Sequence, residues 1–188
     1  MGSAYDAETK RIYVRDNNGL WTYDTEADAW TRKLDFGYPP YYPKWQTYHY
    51  RSAAILEPQR YFVSAGSALS DGAPDFFVYD IDGDADVTAS FTMSGDLSVI
   101  AGKAPGLAFD EKSGSLVAWS GGAPAIMDPA TRAWSRGSAQ GAPAQPVDNG
   151  TYGRFRYIAY LNVFVLVNGP SDPVHFYKLT AGCGASNP

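Results

Sequence analysis

Residues 4–32 read AYDAETKRIYVRDNNGLWTYDTEADAWTR, and residues 108–136 read AFDEKSGSLVAWSGGAPAIMDPATRAWSR. Identical or similar residues stand at matching positions in the two stretches, always 104 residues apart, the difference between 108 and 4. No insertion or deletion interrupts the match. A constant long period is the sequence signature of a repeat architecture, in which one structural unit is built more than once. The sequence therefore predicts a repeat fold before any single residue is considered.

Two further units of the same kind are found, one between the matching stretches and one after them. Each unit has a short strand, a tight turn, a strongly β-prone strand, a small turn and a third strand. Trp30 and Trp134 open a fourth strand in units one and three. Units of about 45–50 residues with four antiparallel strands are typical of propeller blades. The predicted blades span residues 3–35, 47–93, 104–137 and 151–180.

We therefore predict an all-β fold, a β-propeller of four blades that forms one domain over residues 1–180. Residues 181–188 are predicted to be a flexible C-terminal tail. The last unit lacks a fourth strand, because only nine residues follow Leu179. Three assemblies stay open: a closed four-bladed ring, part of a longer propeller, or a homodimer whose two chains complete one larger ring.

Composition and charge exclude several classes of protein. The chain is 45% hydrophobic and 19% charged, which argues against both a disordered chain and a coiled coil. A net charge of −5 without a basic cluster argues against nucleic-acid binding, and no apolar run is long enough for a transmembrane helix. Cys183, the one cysteine, excludes an internal disulfide. The Lys-poor, Tyr-, Asp- and Gly-rich composition favours an extracytoplasmic or secreted bacterial protein.

The turn and third strand of unit three carry a resemblance. Ser120-Gly121-Gly122, then Met127-Asp128 and Trp134, resemble the kelch repeats of galactose-oxidase-like propellers. The resemblance covers nearly the whole chain in degenerate form, since unit three alone keeps both glycines. It implies a propeller of about six or seven blades, whereas this chain supplies four. The copper-radical chemistry of some relatives requires a Cys–Tyr crosslink that Cys183, in the tail, does not offer.

Polar and aromatic residues gather where the innermost strands of units two and four begin. These two units oppose each other in a four-bladed ring, so their side chains are predicted to converge on one pocket. A His or Tyr can move a proton while Arg neutralises a neighbouring carboxylate, as in some propeller-fold polysaccharide lyases. The predicted catalytic residues of such a lyase are Tyr48, His49 and Tyr50. The predicted ligand-binding residues are Arg51, Tyr152, Arg154 and Arg156, unless these arginines bond carbonyl groups at blade junctions.

The connection between units one and two is rich in aromatic residues and proline. Residues 36–45 read FGYPPYYPKW, and the three prolines restrict this segment to extended conformations. Exposed rings on a stiff loop make stacking platforms for a sugar or for another protein. Tyr41, Tyr42 and Trp45 are therefore predicted to bind a ligand. The alternative is that these rings cover the hydrophobic end of the propeller.

Asp82, Asp84 and Asp86 stand at alternate positions, as at the start of a calcium loop. The resemblance fails further along, because Val87 stands where the loop needs glycine and Met93 where it needs glutamate. A solvated acidic turn is predicted, with calcium binding as the alternative. The sequence otherwise predicts no cofactor and no metal site.

The leading functional hypothesis is a kelch-like propeller that binds a glycan or a protein. Its ligand face would combine the aromatic loop with the Arg- and Tyr-lined mouth of the channel. One alternative is a carbohydrate-active enzyme, such as a lyase on uronate polysaccharide, with His49 or a neighbouring Tyr as base and Arg154 or Arg156 as the carboxylate clamp. A second alternative is a structural piece that assembles into a larger propeller.

Overall fold

The chain folds as an all-β propeller of four blades, which confirms the predicted fold class. The structure is a computed structural model that describes residues 1–37, 50–66 and 74–183. Each blade is a small, mainly antiparallel sheet, and the innermost strand of each blade packs against the innermost strand of the next blade along the chain. Within the described ranges, no helix is long and apolar enough to cross a lipid bilayer.

The strands follow the chain from blade to blade. Blade 1 contains β1 (Gly2–Asp6), β2 (Arg11–Arg15), β3 (Gly19–Asp24) and β4 (Ala29–Asp35). Blade 2 contains β5 (Ser52–Leu56), β6 (Tyr61–Ala65), β7 (Phe77–Asp80) and β8 (Ala85–Asp86). Blade 3 contains β9 (Ser94–Gly95), β10 (Gly106–Asp110), β11 (Ser115–Trp119), β12 (Ala125–Asp128) and β13 (Ala133–Arg136). Blade 4 contains β14 (Phe155–Ile158), β15 (Val163–Val167) and β16 (Val174–Tyr177). Short 3₁₀ turns occur in the connections of blades 2 and 4, at Glu57–Gln59, Thr88–Ser90, Tyr152–Arg154 and Ala159–Leu161.

Blades 1 and 3 have the same strand register, as the 104-residue period predicts. Tyr23 pairs with Trp30 in blade 1, and Met127 pairs with Trp134 in blade 3. Blades 2 and 4 form a second matching pair. Their first turns are both 3₁₀ turns that end in a left-handed residue, Arg60 at φ 56° and Asn162 at φ 49°. The repeating unit is therefore a pair of blades, present twice in the chain.

Apolar side chains fill the spaces between consecutive blades. Because side chains alternate along a strand, the two central blades bury one apolar set on each face. Tyr13 and Phe62 pack between blades 1 and 2, with ring centroids 5.9 Å apart. Val63 and Leu116 belong to the core between blades 2 and 3. Phe164, which is buried, lies in the core between blades 3 and 4.

Strand β9 ties the end of blade 2 to the outer edge of blade 3. It pairs in parallel with β13, Ser94 opposite Ala133 and Gly95 opposite Trp134. A Cβ atom at Gly95, whose φ is 83°, would lie 2.1 Å from the carbonyl oxygen of Trp134. Glycine is therefore required for this close approach. The sequence analysis did not predict this fifth strand.

The four blades form an arc that is open between blade 4 and blade 1. Strand β1 packs on β5, β5 on β10 and β10 on β14. No comparable packing joins β14 to β1 among the residues that the structure describes. Most of the exposed large apolar side chains of the described ranges lie on strands of blades 1 and 4, among them Tyr5, Trp30, Val174 and Phe176.

Candidate functional site

A cavity of about 160 Å³ lies at the mouth of the central channel, where the innermost strands begin. All four blades reach it, through Ser3, Arg51, Leu107 and Arg156. Tyr152, at the start of the 3₁₀ turn before β14, also lines its wall. The structure thus brings together three residues predicted to bind a ligand: Arg51, Tyr152 and Arg156.

Arg156 is the exposed guanidinium of this cavity. It lies in β14, and its Nε donates a hydrogen bond to the carbonyl oxygen of Gly153 at 2.9 Å. Among the described residues, no carboxylate forms an ion pair with Arg156. The bond from Nε fixes the base of the guanidinium, so its terminal nitrogens are the donors best placed for an anionic ligand.

Arg51 is buried and forms bonds within the protein. Its Nε donates to Asp75 Oδ2 at 2.7 Å, and its Nη1 donates to Asn17 Oδ1 at 2.9 Å. Asp75 also accepts a bond from Arg15 at 2.8 Å, so one carboxylate joins two guanidinium groups. This network holds β5 to the turn of blade 1 through side-chain acceptors, and not through the carbonyl groups considered as the structural alternative for these arginines. Arg51 contributes positive charge to the cavity while it performs that role.

Arg154 and Tyr50 lie beside the cavity and do not line it. Arg154 donates to the carbonyl oxygen of Thr151 at 3.1 Å and also to that of Gly150. Tyr50 lies at the boundary of blades 2 and 3, where its carbonyl oxygen accepts a bond from Ala104. The ring of Tyr50 faces Lys103, whose Nζ is 5.4 Å from the ring centroid.

Tyr152 is suited to donate a hydrogen bond from its phenol. Burial raises the pKa of the phenol above its usual value, and the nearby Tyr50 adds to the shift. The phenol is therefore protonated at neutral pH. A protonated phenol can donate to a carboxylate, but it cannot remove a proton from a substrate.

Five residues of the predicted site lie outside the described residues. They are the catalytic candidates Tyr48 and His49 and the aromatic-loop residues Tyr41, Tyr42 and Trp45. Their roles stay predictions.

The acidic residues after β7 bond with neighbouring protein groups. Asp84 forms an ion pair with Lys33 at 2.7 Å and accepts a bond from the Tyr79 hydroxyl. These two bonds lower the pKa of Asp84. Asp82 lies 3.4 Å from Arg60 Nε, and Asp86 accepts the backbone N–H of Thr88. Within the described ranges no cluster of His, Cys, Asp and Glu could hold a metal ion, and calcium binding by the three aspartates stays a prediction.

A second cavity, of about 250 Å³, lies between blades 3 and 4. Phe155, Phe164 and Tyr177 form its aromatic wall, and the loop 138–143 closes it from blade 3. His175 lies beside this wall, on the same face of β16 as Tyr177. His175 was not among the site residues predicted from the sequence. His175 and Tyr177 are two residues apart on one strand, so both side chains point toward blade 3. This two-residue spacing is the feature of the sequence that could have indicated the position of His175.

Comparisons with known proteins establish the fold class alone. No protein-family model matches this chain, and no curated protein is similar to it. A crystal structure at 1.70 Å of a protein of unknown function from Bacteroides thetaiotaomicron VPI-5482 matches 94% of the chain with a TM-score of 0.55 and 14% identity. A chain of the mitotic checkpoint complex matches 94% with a TM-score of 0.45 and 9% identity. The chain spans about half the length of these proteins, 46% of the first and 61% of the second.

Proposed function

We propose that this propeller is a binding module that takes a carboxylate group at the mouth of its channel. The observation that carries the proposal is that Tyr152 and the exposed Arg156 line one cavity, and that no carboxylate among the described residues forms an ion pair with Arg156. Charge-assisted hydrogen bonds from a guanidinium to a carboxylate contribute about 1.5–3 kcal/mol each. Arg51 lines the same cavity, while its guanidinium bonds Asp75 and Asn17.

The size of the cavity limits the ligand. At about 160 Å³ it is smaller than the roughly 300–1,000 Å³ of pockets that enclose a whole drug-sized ligand. It suits one small group that projects from a larger molecule. The carboxylate of a uronate sugar and that of an acidic side chain share this chemistry, which supports a glycan or a protein ligand alike.

Tyr152 is suited to bind a ligand as a hydrogen-bond donor and not to act as the base of a lyase. A lyase needs a base that is deprotonated at neutral pH, and burial keeps the phenol of Tyr152 protonated. The catalytic alternative depends on Tyr48, His49 and Tyr50, of which the first two lie outside the described residues. Three parts of this proposal rest on the sequence alone. They are the resemblance to kelch repeats, the role of Trp45 in stacking on a glycan, and an extracytoplasmic location.

The experiment is calorimetric titration of the protein with three probes: glucuronate, glucose and a short peptide rich in glutamate. We expect glucuronate or the peptide to bind and glucose to be at least tenfold weaker. Arg156→Gln should weaken the bound probe about tenfold or more, because it removes a charge-assisted bond. Arg11→Gln, an exposed arginine of blade 1 paired with Asp24, is the matched control and should bind like the wild type.

The two carboxylate probes separate a glycan source from a protein source. Equal binding of glucuronate and glucose would contradict the carboxylate proposal, as would an Arg156→Gln variant that binds both carboxylate probes like the wild type. Absence of binding by all three probes would also contradict it.

A further inference from the structure

One face of blade 1 repeats a face that blade 3 buries against blade 2. Its strands present Tyr5, Ile12, Tyr23 and Trp30, which correspond at the 104-residue period to Phe109, Leu116, Met127 and Trp134. In blade 3 these residues belong to the core shared with blade 2. Trp134 is 3% exposed, whereas Trp30 is 61% exposed. The face of blade 1 is thus built for a neighbour that its own chain does not supply among the described residues.

One face of blade 4 repeats, in the same way, the face that blade 2 buries against blade 3. Val165 pairs with Phe176 across blade 4 as Val63 pairs with Val78 across blade 2. Val78 is fully buried, whereas Phe176 is 68% exposed. The strands of this face also carry Ile158, Val163, Val167 and Val174, of which Val167 and Val174 are exposed and Val163 is buried.

The apolar character of this face is unusual for a sheet that has one side in water. A sheet with one face in water normally alternates apolar and polar residues. Blade 4 places apolar residues on both faces, because Phe155, Tyr157 and Phe164 pack against blade 3. Contiguous exposed apolar surface of this kind marks an interaction site. Arg156 is the charged member of the face and stands on the innermost strand, beside the channel cavity.

We propose that a second copy of this chain covers both faces, with blade 4 of one copy packed on blade 1 of the other. The two faces have the residue pattern of the pair that already packs between blades 2 and 3. Each chain carries both surfaces, the blade 4 face and the blade 1 face. The blade 4 face of one copy therefore matches the blade 1 face of a second copy. The contact is head to tail, and a two-fold axis makes it twice, which gives one closed dimer.

The first measurement is the native mass of the 188-residue chain by light scattering at several concentrations. We expect about 41 kDa, twice the chain mass of 20.4 kDa. Phe176→Glu and Tyr5→Glu each place a charge in one of the two faces and should shift the mass to that of the monomer. Tyr160→Glu, an exposed aromatic in the turn before β15, is the control and should stay dimeric.

A mixture of the two variants tests the head-to-tail geometry. A mixed pair retains one contact in which both faces are intact, blade 4 of Tyr5→Glu on blade 1 of Phe176→Glu. Mixing the two monomeric variants should therefore restore a species of about twice the monomer mass. Circular dichroism of each variant, matched to the wild type, shows that the change is in association and not in folding.

Three outcomes would overturn the inference. They are a wild-type monomer at every concentration, a dimer that neither variant disrupts, and two variants that stay monomeric when mixed. The proposal does not depend on ligand binding at the channel mouth.

Discussion

Arg60 donates two hydrogen bonds to the carboxylate of Asp6 across the junction of blades 1 and 2, at 2.7 and 2.9 Å. Asp6 ends β1 and is fully buried, and the hydroxyl and backbone N–H of Thr9 donate to the same carboxylate. Arg60 occupies the left-handed position that ends the first turn of blade 2. At the corresponding turn of blade 4, the residue is Asn162, which bonds Tyr157 and carbonyl groups of residues 180–182. The junction of blades 1 and 2 therefore has an ion pair at a turn position where blade 4 has an uncharged amide.

The ion pair makes stability depend on acid pH. Burial opposes the ionisation of Asp6, but the bonds from Arg60 and Thr9 outweigh it and lower the pKa to about 2, from an ordinary value of 3.8. The stabilisation is fully present above pH 3.8 and is lost as the pH falls toward 2. We expect a loss of about 2 kcal/mol in the free energy of unfolding from this group. Urea unfolding between pH 5 and pH 2 measures it.

Asp6→Asn removes the titrating group and should flatten this part of the pH profile, with lower stability at pH 7. Glu26→Gln, in an exposed pair with Lys10, is the control and should keep the wild-type profile. A profile for Asp6→Asn that is as steep as the wild type would show that other carboxylates carry the acid sensitivity.

Asp75→Asn should destabilise the protein by about 3–5 kcal/mol, because two buried guanidinium groups lose the carboxylate that they share. Asp35→Asn removes the carboxylate of an exposed pair with Arg32 and should change stability by less than about 1 kcal/mol. Denaturant unfolding of both variants compares the two ion pairs directly. A cost for Asp75→Asn as small as that for Asp35→Asn would mean that Arg51 is held by other contacts.

Gly106→Ala should loosen the junction of blades 3 and 4. A Cβ atom at Gly106 would lie 2.3 Å from the Cβ atom of Phe155, so the two innermost strands must separate. Overpacking of this kind costs about 1–3 kcal/mol. Gly2, at the matching position of blade 1, has its nearest atom at 3.2 Å, and Gly2→Ala should cost less. Thermal unfolding ranks the variants, and the reverse order would contradict the geometry.

Phe164→Ala should cost about 3–5 kcal/mol, because it empties the centre of the core between blades 3 and 4. The ring of Phe164 stacks on Phe155 with centroids 5.0 Å apart. Leu161→Ala changes an exposed residue of the neighbouring turn and should cost less than about 1 kcal/mol. Urea unfolding checks both, and similar costs would indicate that blade 4 is not packed on blade 3 in solution.

The period of 104 residues allowed the repeat fold to be predicted from the sequence, and blades 1 and 3 have matching strand registers in the structure. Pairs such as Tyr23 with Trp30 depend on local alternation and turn length, which the sequence records directly. The lack of a fourth strand in blade 4 was also predicted, and among the described residues this blade has three strands.

Contacts between residues far apart in the chain could not be predicted from the sequence. No feature of the sequence around Arg51 indicates that Asp75, 24 residues away, is its partner. Arg154 and Arg156 are two residues apart, and only the turn geometry directs one guanidinium to carbonyl groups and the other to the cavity. Strand β9 is only two residues long, too short for any pattern to reveal it.

The pairing of β9 with β13 has a consequence for the order in which the molecule opens. Blades 2 and 3 are joined at their innermost strands and again at the outer edge, so neither can swing away while β9 stays paired. In a single chain, blades 1 and 4 have one neighbour each within the described residues and can fray separately, unless a second copy is packed on them. The backbone amides of β6 and β11 should consequently exchange their hydrogens with solvent last, and those of β16 among the first.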